Sequence, residues 1–152
     1  IMAQMNYERA GIERLLQTYA VYKQLVDYVK RMDKTTAAYQ LARNAVAQAE
    51  IEQEAGRLLC YHTAWNVDQG TLSASGASLC KAFCTQFDHR LTDLASVIVG
   101  PQSQIKKGTQ WSPFEGDLAS SYLWAPSMTL QGGSVEVLKN IIAQRGLGLP
   151  RR

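Results

Sequence analysis

The sequence predicts an all-α fold: an antiparallel four-helix up-and-down bundle with one additional short helix. Three features point there. Apolar residues recur at spacings of three and four over three long stretches, those stretches close on glycine or proline or in a polar turn, and nowhere do polar and apolar residues alternate as in a half-buried strand. Helices of roughly eight turns without heptads bury their apolar stripes most simply by lying side by side in an elongated bundle.

The first helix is expected from Met5 to about Met32, with Ile12, Leu15, Leu16, Tyr19, Tyr22, Val26 and Val29 forming the stripe and Glu13, Lys23, Asp27 and Lys30 falling between them. A second is expected from about Thr36 to Asp68, carrying Leu41, Ala45, Ile51, Ala55, Leu58, Leu59 and Trp65 and ended by the glycine of "DQG". The third spans about Leu72 to Val99, with Cys80, Phe83, Cys84, Phe87, Leu91, Leu94, Ala95 and Ile98 on one side and Gly100-Pro101 as its stop. Pro101 to Gly116, rich in Gln, Lys, Gly, Ser and Pro, reads as a loop and as the least ordered stretch. Asp117 to about Pro126 reads as the short helix and Ser134 to Arg145 as the last; there is no internal repeat.

A chain of 152 residues fits one domain able to bury roughly two-thirds of its unfolded surface. Its net charge of +3, with acids and bases interspersed, is too mild for a nucleic-acid footprint, so no nucleic-acid partner is expected. No signal peptide and no apolar run of about 20 residues is present, so the expected protein has no membrane span and is cytoplasmic. Ile1 lies almost directly on a helix, which suggests a fragment cut from something larger.

Three cysteines suit a reducing compartment better than a disulfide framework. Cys80 and Cys84, one turn apart beside Phe83 and Phe87, read as small buried apolar residues. A metal site drawing on Cys60, His62, Cys80, Cys84 or His89 has no Cys-x-x-Cys or His-rich spacing behind it, and none is expected. His62, next to Leu58 and Leu59 at helical spacing, reads as a core histidine.

The last helix opens on Gly132, Gly133 and Ser134. Two readings are open from the residues alone: an ordinary turn with a serine cap, or a place where backbone N–H groups and a hydroxyl approach a bound molecule closely.

The run "GGSVEVLKNIIAQRGLGLPR" resembles the closing signature of the acyl-CoA dehydrogenases over about twenty consecutive positions. "NYERAGIERLL" is similar to the opening of that family's C-terminal helical domain, and "EAGRLLCYHTAWNVDQG" to its second helix, so the resemblance extends over the whole chain. It implies a four-helix bundle that follows a helical N-terminal domain and a middle β-domain, both absent from these residues. It implies FAD as cofactor, removal of a proton from Cα and a hydride from Cβ of an acyl-CoA thioester, an electron-transfer flavoprotein as electron acceptor, and a dimer or tetramer.

By the same resemblance the Gly132-Gly133-Ser134 turn and Glu136 match the residues that contact cofactor, and Arg31 is what remains of a further cofactor element. That element is Arg-x-x-Phe-Gly in the family and "RMDKT" here, with Lys34 and Thr35 replacing Phe and Gly. A second, Gln-x-x-Gly-Gly, appears as "VIVGP", with Val97 for the Gln and Pro101 for the second Gly. In the family both reach the ADP half of an FAD held largely by a neighbouring subunit. Many members carry their catalytic base at the position of Gly132, which has no carboxylate; a minority supply it from the first helix, immediately before an arginine. Here Glu8 precedes Arg9, so the resemblance implies Glu8 as the base, with Glu136 as the runner-up. The alternative is a non-catalytic or flavin-deficient partner subunit of a heteromeric relative.

Overall fold

Among the described side chains between Glu13 and Lys30 the buried ones are Leu15, Thr18, Val21, Tyr22, Leu25 and Val29, recurring mostly at threes and fours, and the chain is helical there (α1, Glu13–Lys30) in the computed structural model, which describes residues 8, 9 and 13–151. Glu8 and Arg9 are helical as well, while the rest of the first expected helix before Glu13, Met5 and Ile12 included, lies outside the described residues. α2 spans Ala37–Asp68, opened by Thr36, whose hydroxyl accepts the Tyr39 N–H at 3.1 Å. α3 spans Ala74–Val99, opened by Ser73, whose hydroxyl accepts the Gly76 N–H at 3.0 Å. Gly100 then takes φ 76°, a conformation that ends the helix at little steric cost only for glycine. α4 spans Asp117–Met128, and α5, Val135–Ile141, widens into a π-type turn over Ile142–Gly146. No strand occurs among the described residues, and the bundle fold is the one the sequence predicts.

The pairing of helices is legible in their contacts. Leu15 meets Gly56 and Tyr22 meets Glu50, so α2 recedes as α1 advances, and the two run antiparallel. Arg90 reaches Glu52 at 3.0 Å and Cys80 and Cys84 reach Cys60, which sets α2 and α3 antiparallel as well. A Cβ on Gly56 would lie 3.0 Å from Leu15 and 3.4 Å from the Phe83 ring, so this glycine lets three helices close on one point.

α3 is the centre of the molecule and touches every other helix. Its Cys80, Cys84, Phe87, Leu91, Ala95 and Val99 join Leu15, Val21, Tyr22, Leu25 and Val29 of α1 in one core. The short helix α4 lies along α3: Lys81, near the start of α3, bonds to Thr129 just past α4, while Asp93 to Pro101 share a groove with Ala119, Tyr122 and Leu123. The end of α5 returns to the start of α3, where Gly146 sits against Ser75.

Two expectations are corrected. On α2 the large apolar residues Leu41, Ile51, Leu58 and Trp65 face outward, Leu41 with 72% of its surface exposed, and the buried row is Ala42, Ala49, Gln53, Gly56, Cys60 and Thr63. Small residues let α2 approach its neighbours closely, and that closeness selects the small face. Leu16 and Tyr19 of α1 are likewise exposed, displaced by Val21 and Leu25. The stretch expected to be least ordered is pinned at both ends by single tight turns, Gly100–Gln104 and Pro113–Gly116. Ser112 donates to the Ile105 carbonyl at 3.0 Å, and Phe114 packs edge-on against Tyr28 with ring centres 6.0 Å apart.

No helix among the described residues is long and apolar enough to cross a membrane.

Candidate functional site

The turn between α4 and α5 is built by glycines and held by two basic side chains from elsewhere in the chain. Gly132 and Gly133 take φ of 70° and 107°, a succession that residues with a Cβ rarely adopt. Ser134 then closes the turn as the cap of α5, its hydroxyl accepting the Val137 N–H at 3.4 Å. Arg9 Nε donates to the Gly132 carbonyl at 2.9 Å. Lys81 Nζ donates to the Gly133 carbonyl at 2.8 Å and to the Thr129 carbonyl at 3.4 Å. Both side chains are buried, Arg9 at 5% and Lys81 at 1% exposure. A Cβ on Gly133 would lie 3.3 Å from Arg9 Nη2, tighter than side chains normally pack.

Gly132, Gly133 and Ser134 are half-buried, and Glu136, in the first turn of α5, is exposed. The Glu136 backbone N–H and the Ser134 hydroxyl hold its carboxyl below the usual range, with Lys139 and Lys81 adding attraction. An ionised, well-solvated carboxylate of this kind is an acceptor rather than a proton trap. Glu8 is exposed and directly precedes Arg9. The Arg9 contact ties the helix that carries Glu8 to the turn, from a residue 123 positions before Gly132.

The remaining site residues of the sequence lie apart. Arg31 is exposed just past the end of α1, whose 18 residues put it about 27 Å from the end of that helix nearest Arg9. Val97 and Pro101 line a groove of about 730 Å³ near the far end of α3 from Lys81, together with Asp93, Ser96, Lys106 and Tyr122. The chain thus carries two separate regions: the glycine turn with Arg9, Ser134 and Glu136, and the positions of the two altered elements at a distance from it.

The structure also gathers three residues that spacing left apart. The Cys60 sulfur lies 3.8 Å from that of Cys80 and 3.7 Å from that of Cys84, all three thiols being buried between α2 and α3. Hydrogen bonding to the other two thiols and burial push the Cys84 thiol far above its ordinary range, so it stays protonated at neutral pH. His62 does not join them; contrary to expectation it is exposed, stacked on Trp65 and bonded by Asn66. His89 lies 3.9 Å from Asp93 on the surface of α3.

Lys81 escaped the sequence reading. The available signal was its place in "SLCKAFC", a lone lysine flanked on both sides by residues of the buried row, where a charged side chain needs partners to be tolerated.

Comparison with known proteins bears on this arrangement. The sequence profile described as "Acyl-CoA dehydrogenase, C-terminal domain" matches residues 1–147. Among solved structures, the Tcur3481–Tcur3483 steroid ACAD superposes with a TM-score of 0.85 at 23% identity, over 98% of this chain and 38% of that one. The ChsE4–ChsE5 complex from Mycobacterium tuberculosis gives 0.82 at 20% identity, over 99% and 40%. A glutaryl-coenzyme A dehydrogenase in complex with glutaryl-CoA gives 0.82 at 23% identity, over 98% and 37%. These likenesses show a shared fold, and the chain spans about two-fifths of the length of these relatives. With the family profile matching nearly every residue, the chain belongs to the acyl-CoA dehydrogenase family, of which it is a C-terminal helical domain.

Proposed function

We propose that this chain acts within an FAD-dependent acyl-CoA dehydrogenase, alongside an N-terminal helical and a middle β-domain, and that Glu8 is its catalytic base. What supports the reading is the Arg9 to Gly132 hydrogen bond, because Glu8 directly precedes Arg9 and Gly132 stands where many family members carry their carboxylate.

The turn fits a flavin. Two successive residues without side chains and with positive φ present bare backbone, and the Ser134 hydroxyl and ionised Glu136 follow at once. Such a surface offers donors and acceptors to the edge of a flat heteroaromatic ring without a Cβ in the way. FAD, if bound, would supply the acceptor for the Cβ hydride, with an electron-transfer flavoprotein as the onward electron acceptor. The chain's own part is to hold and to move a proton. Gly132 and Gly133 leave room for the thioester end of the substrate, Ser134 and Glu136 contact the cofactor side, and Glu8 takes the proton from Cα.

Glu8 directly before Arg9, together with a turn that keeps Gly133, Ser134 and Glu136, favours the catalytic reading over that of a non-catalytic partner subunit. The far elements at Arg31 and Val97–Pro101 serve, on this reading, a cofactor bound mainly by a neighbouring copy in a dimer or tetramer. In the full-length protein, the flavin should bleach with one member of an acyl-CoA panel. Glu8→Gln should lower that rate by about 10²–10⁴-fold with FAD still bound; bleaching at the wild-type rate would exclude Glu8 as the base.

A further inference from the structure

Arg9 and Lys81 are placed at an expense that a plain connection between two helices does not require. Removing charged groups from water costs several kcal/mol each, by the order of magnitude known for buried ions. A surface turn normally leaves its carbonyls to solvent or to a capping side chain. Here the carbonyls of two consecutive residues are each taken by a different buried basic side chain: Gly132 by Arg9 at 2.9 Å and Gly133 by Lys81 at 2.8 Å.

The geometric consequence follows from the peptide bond itself. No peptide bond among the described residues is cis, and in a trans peptide the C=O and the following N–H point in opposite directions. With the Gly132 carbonyl turned to Arg9, the Gly133 N–H faces away from Arg9. With the Gly133 carbonyl turned to Lys81, the Ser134 N–H faces away from Lys81. The two side chains thus set the rotation of two successive peptide planes that glycines would otherwise leave soft, since glycine alone among residues passes freely through these φ values. Lys81 also reaches the Thr129 carbonyl at 3.4 Å and so ties the end of α4 to the same point.

We propose that Lys81, acting with Arg9, is a positioning residue for the reaction: it locks the Gly132–Gly133 and Gly133–Ser134 peptide planes so that the turn meets flavin and thioester already oriented. This rests on the function proposed above. Lys81 touches neither cofactor nor substrate; it acts through the backbone it holds. Preorganisation of this kind matters because a displacement of about 1 Å far from the chemistry is worth up to about 10²-fold in rate.

The test compares the full-length flavoprotein with Lys81→Met, which keeps a long apolar stem and removes the donor, and with Lys81→Gln, which keeps a donor at shorter reach and serves should the Met variant not fold. Two readouts are taken after circular dichroism and FAD content show a folded, loaded protein. The first is amide hydrogen exchange over residues 129–136, which needs no turnover: it should quicken in the variants while α1 and α2 stay protected. The second is flavin reduction at saturating acyl-CoA, where the Met variant should lose about 10–100-fold in rate with KM nearly unchanged, the pattern of an interaction realised in the transition state. Unchanged exchange over 129–136, or quickened exchange with a wild-type reduction rate, would overturn the inference alone. A wild-type protein that neither holds flavin nor oxidises an acyl-CoA would overturn the reading of the site, and the inference with it.

Discussion

Asp88 sits mostly inside the bundle, where the Thr18 hydroxyl donates to it at 2.9 Å. Burial raises its pKa, opposed by that hydrogen bond and by His89. The folded state therefore holds the Asp88 proton to a higher pH than the unfolded chain does. The contribution of this group to stability is full below its ordinary value near 3.8 and is lost as pH rises through the higher folded value. Asp88→Asn keeps an acceptor for Thr18 and removes the charge, so it should raise Tm by a few degrees at pH 7 and give no gain near pH 3; equal gains at both pH values would refute the argument. The cysteines lend themselves to a second measurement. Buried thiols react with iodoacetamide only as fast as the bundle opens, so all three should label in denaturant and none should label at an exposed thiol's rate in native protein. Neither environment was legible in the sequence. Asp88 and Thr18 are 70 residues apart, and Cys60 lies 20 residues before Cys80.

At the scale of elements, caps and close approaches decide where helices begin and how near they lie. Ser73→Ala removes the acceptor of the Gly76 N–H and should cost about 1 kcal/mol of stability by denaturant titration. Gly116→Ala should cost more, because it takes φ 87° and a Cβ there would lie 2.2 Å from the Lys107 backbone nitrogen; a loss no larger than that of Ser73→Ala would mean the turn relaxes freely. The polar residues within the helical core are accommodated locally: Thr63, Thr85 and Thr92 each return a hydroxyl to a carbonyl one turn back, at 2.7 Å, 2.9 Å and 3.1 Å. The starts and stops of α2, α3 and α5 were readable because Thr36, Ser73, Gly100 and Ser134 act on backbone within one turn of themselves. The inward face of α2 was not, because a helix with Ile51, Leu58 and Trp65 on one side and Ala42, Ala49, Gly56 and Cys60 on another has two candidate faces.

For the whole molecule, the outward face of α2 is where the proposed assembly is open to test. Ile51, Leu58, Tyr61 and Trp65 are exposed on the side of α2 opposite its buried row, an apolar surface of a kind that marks interaction sites. We expect the full-length protein to be a dimer or tetramer by light scattering, and Leu58→Glu with Trp65→Glu to reduce its order of assembly; a monomer at all concentrations before substitution would count against this. On the function proposed above, residues 1–152 alone should purify without yellow colour, because the glycine turn by itself buries little of a flavin. Stoichiometric flavin retained by this chain would refute that.

What the sequence determined by itself was whatever depends on neighbours along the chain: three long helices and two short ones, their caps, and the glycine turn, since spacing and capping act within about four residues. It also carried the family, because a long run of side chains around that turn is shared in kind. The tertiary structure alone decided what depends on which surfaces meet: the small face of α2 turned inward, three distant thiols in contact, and Arg9 and Lys81 converging on the carbonyls of Gly132 and Gly133. Those contacts join residues up to 123 positions apart. No local rule encodes them, because close packing of whole helices settles which distant side chains share a space.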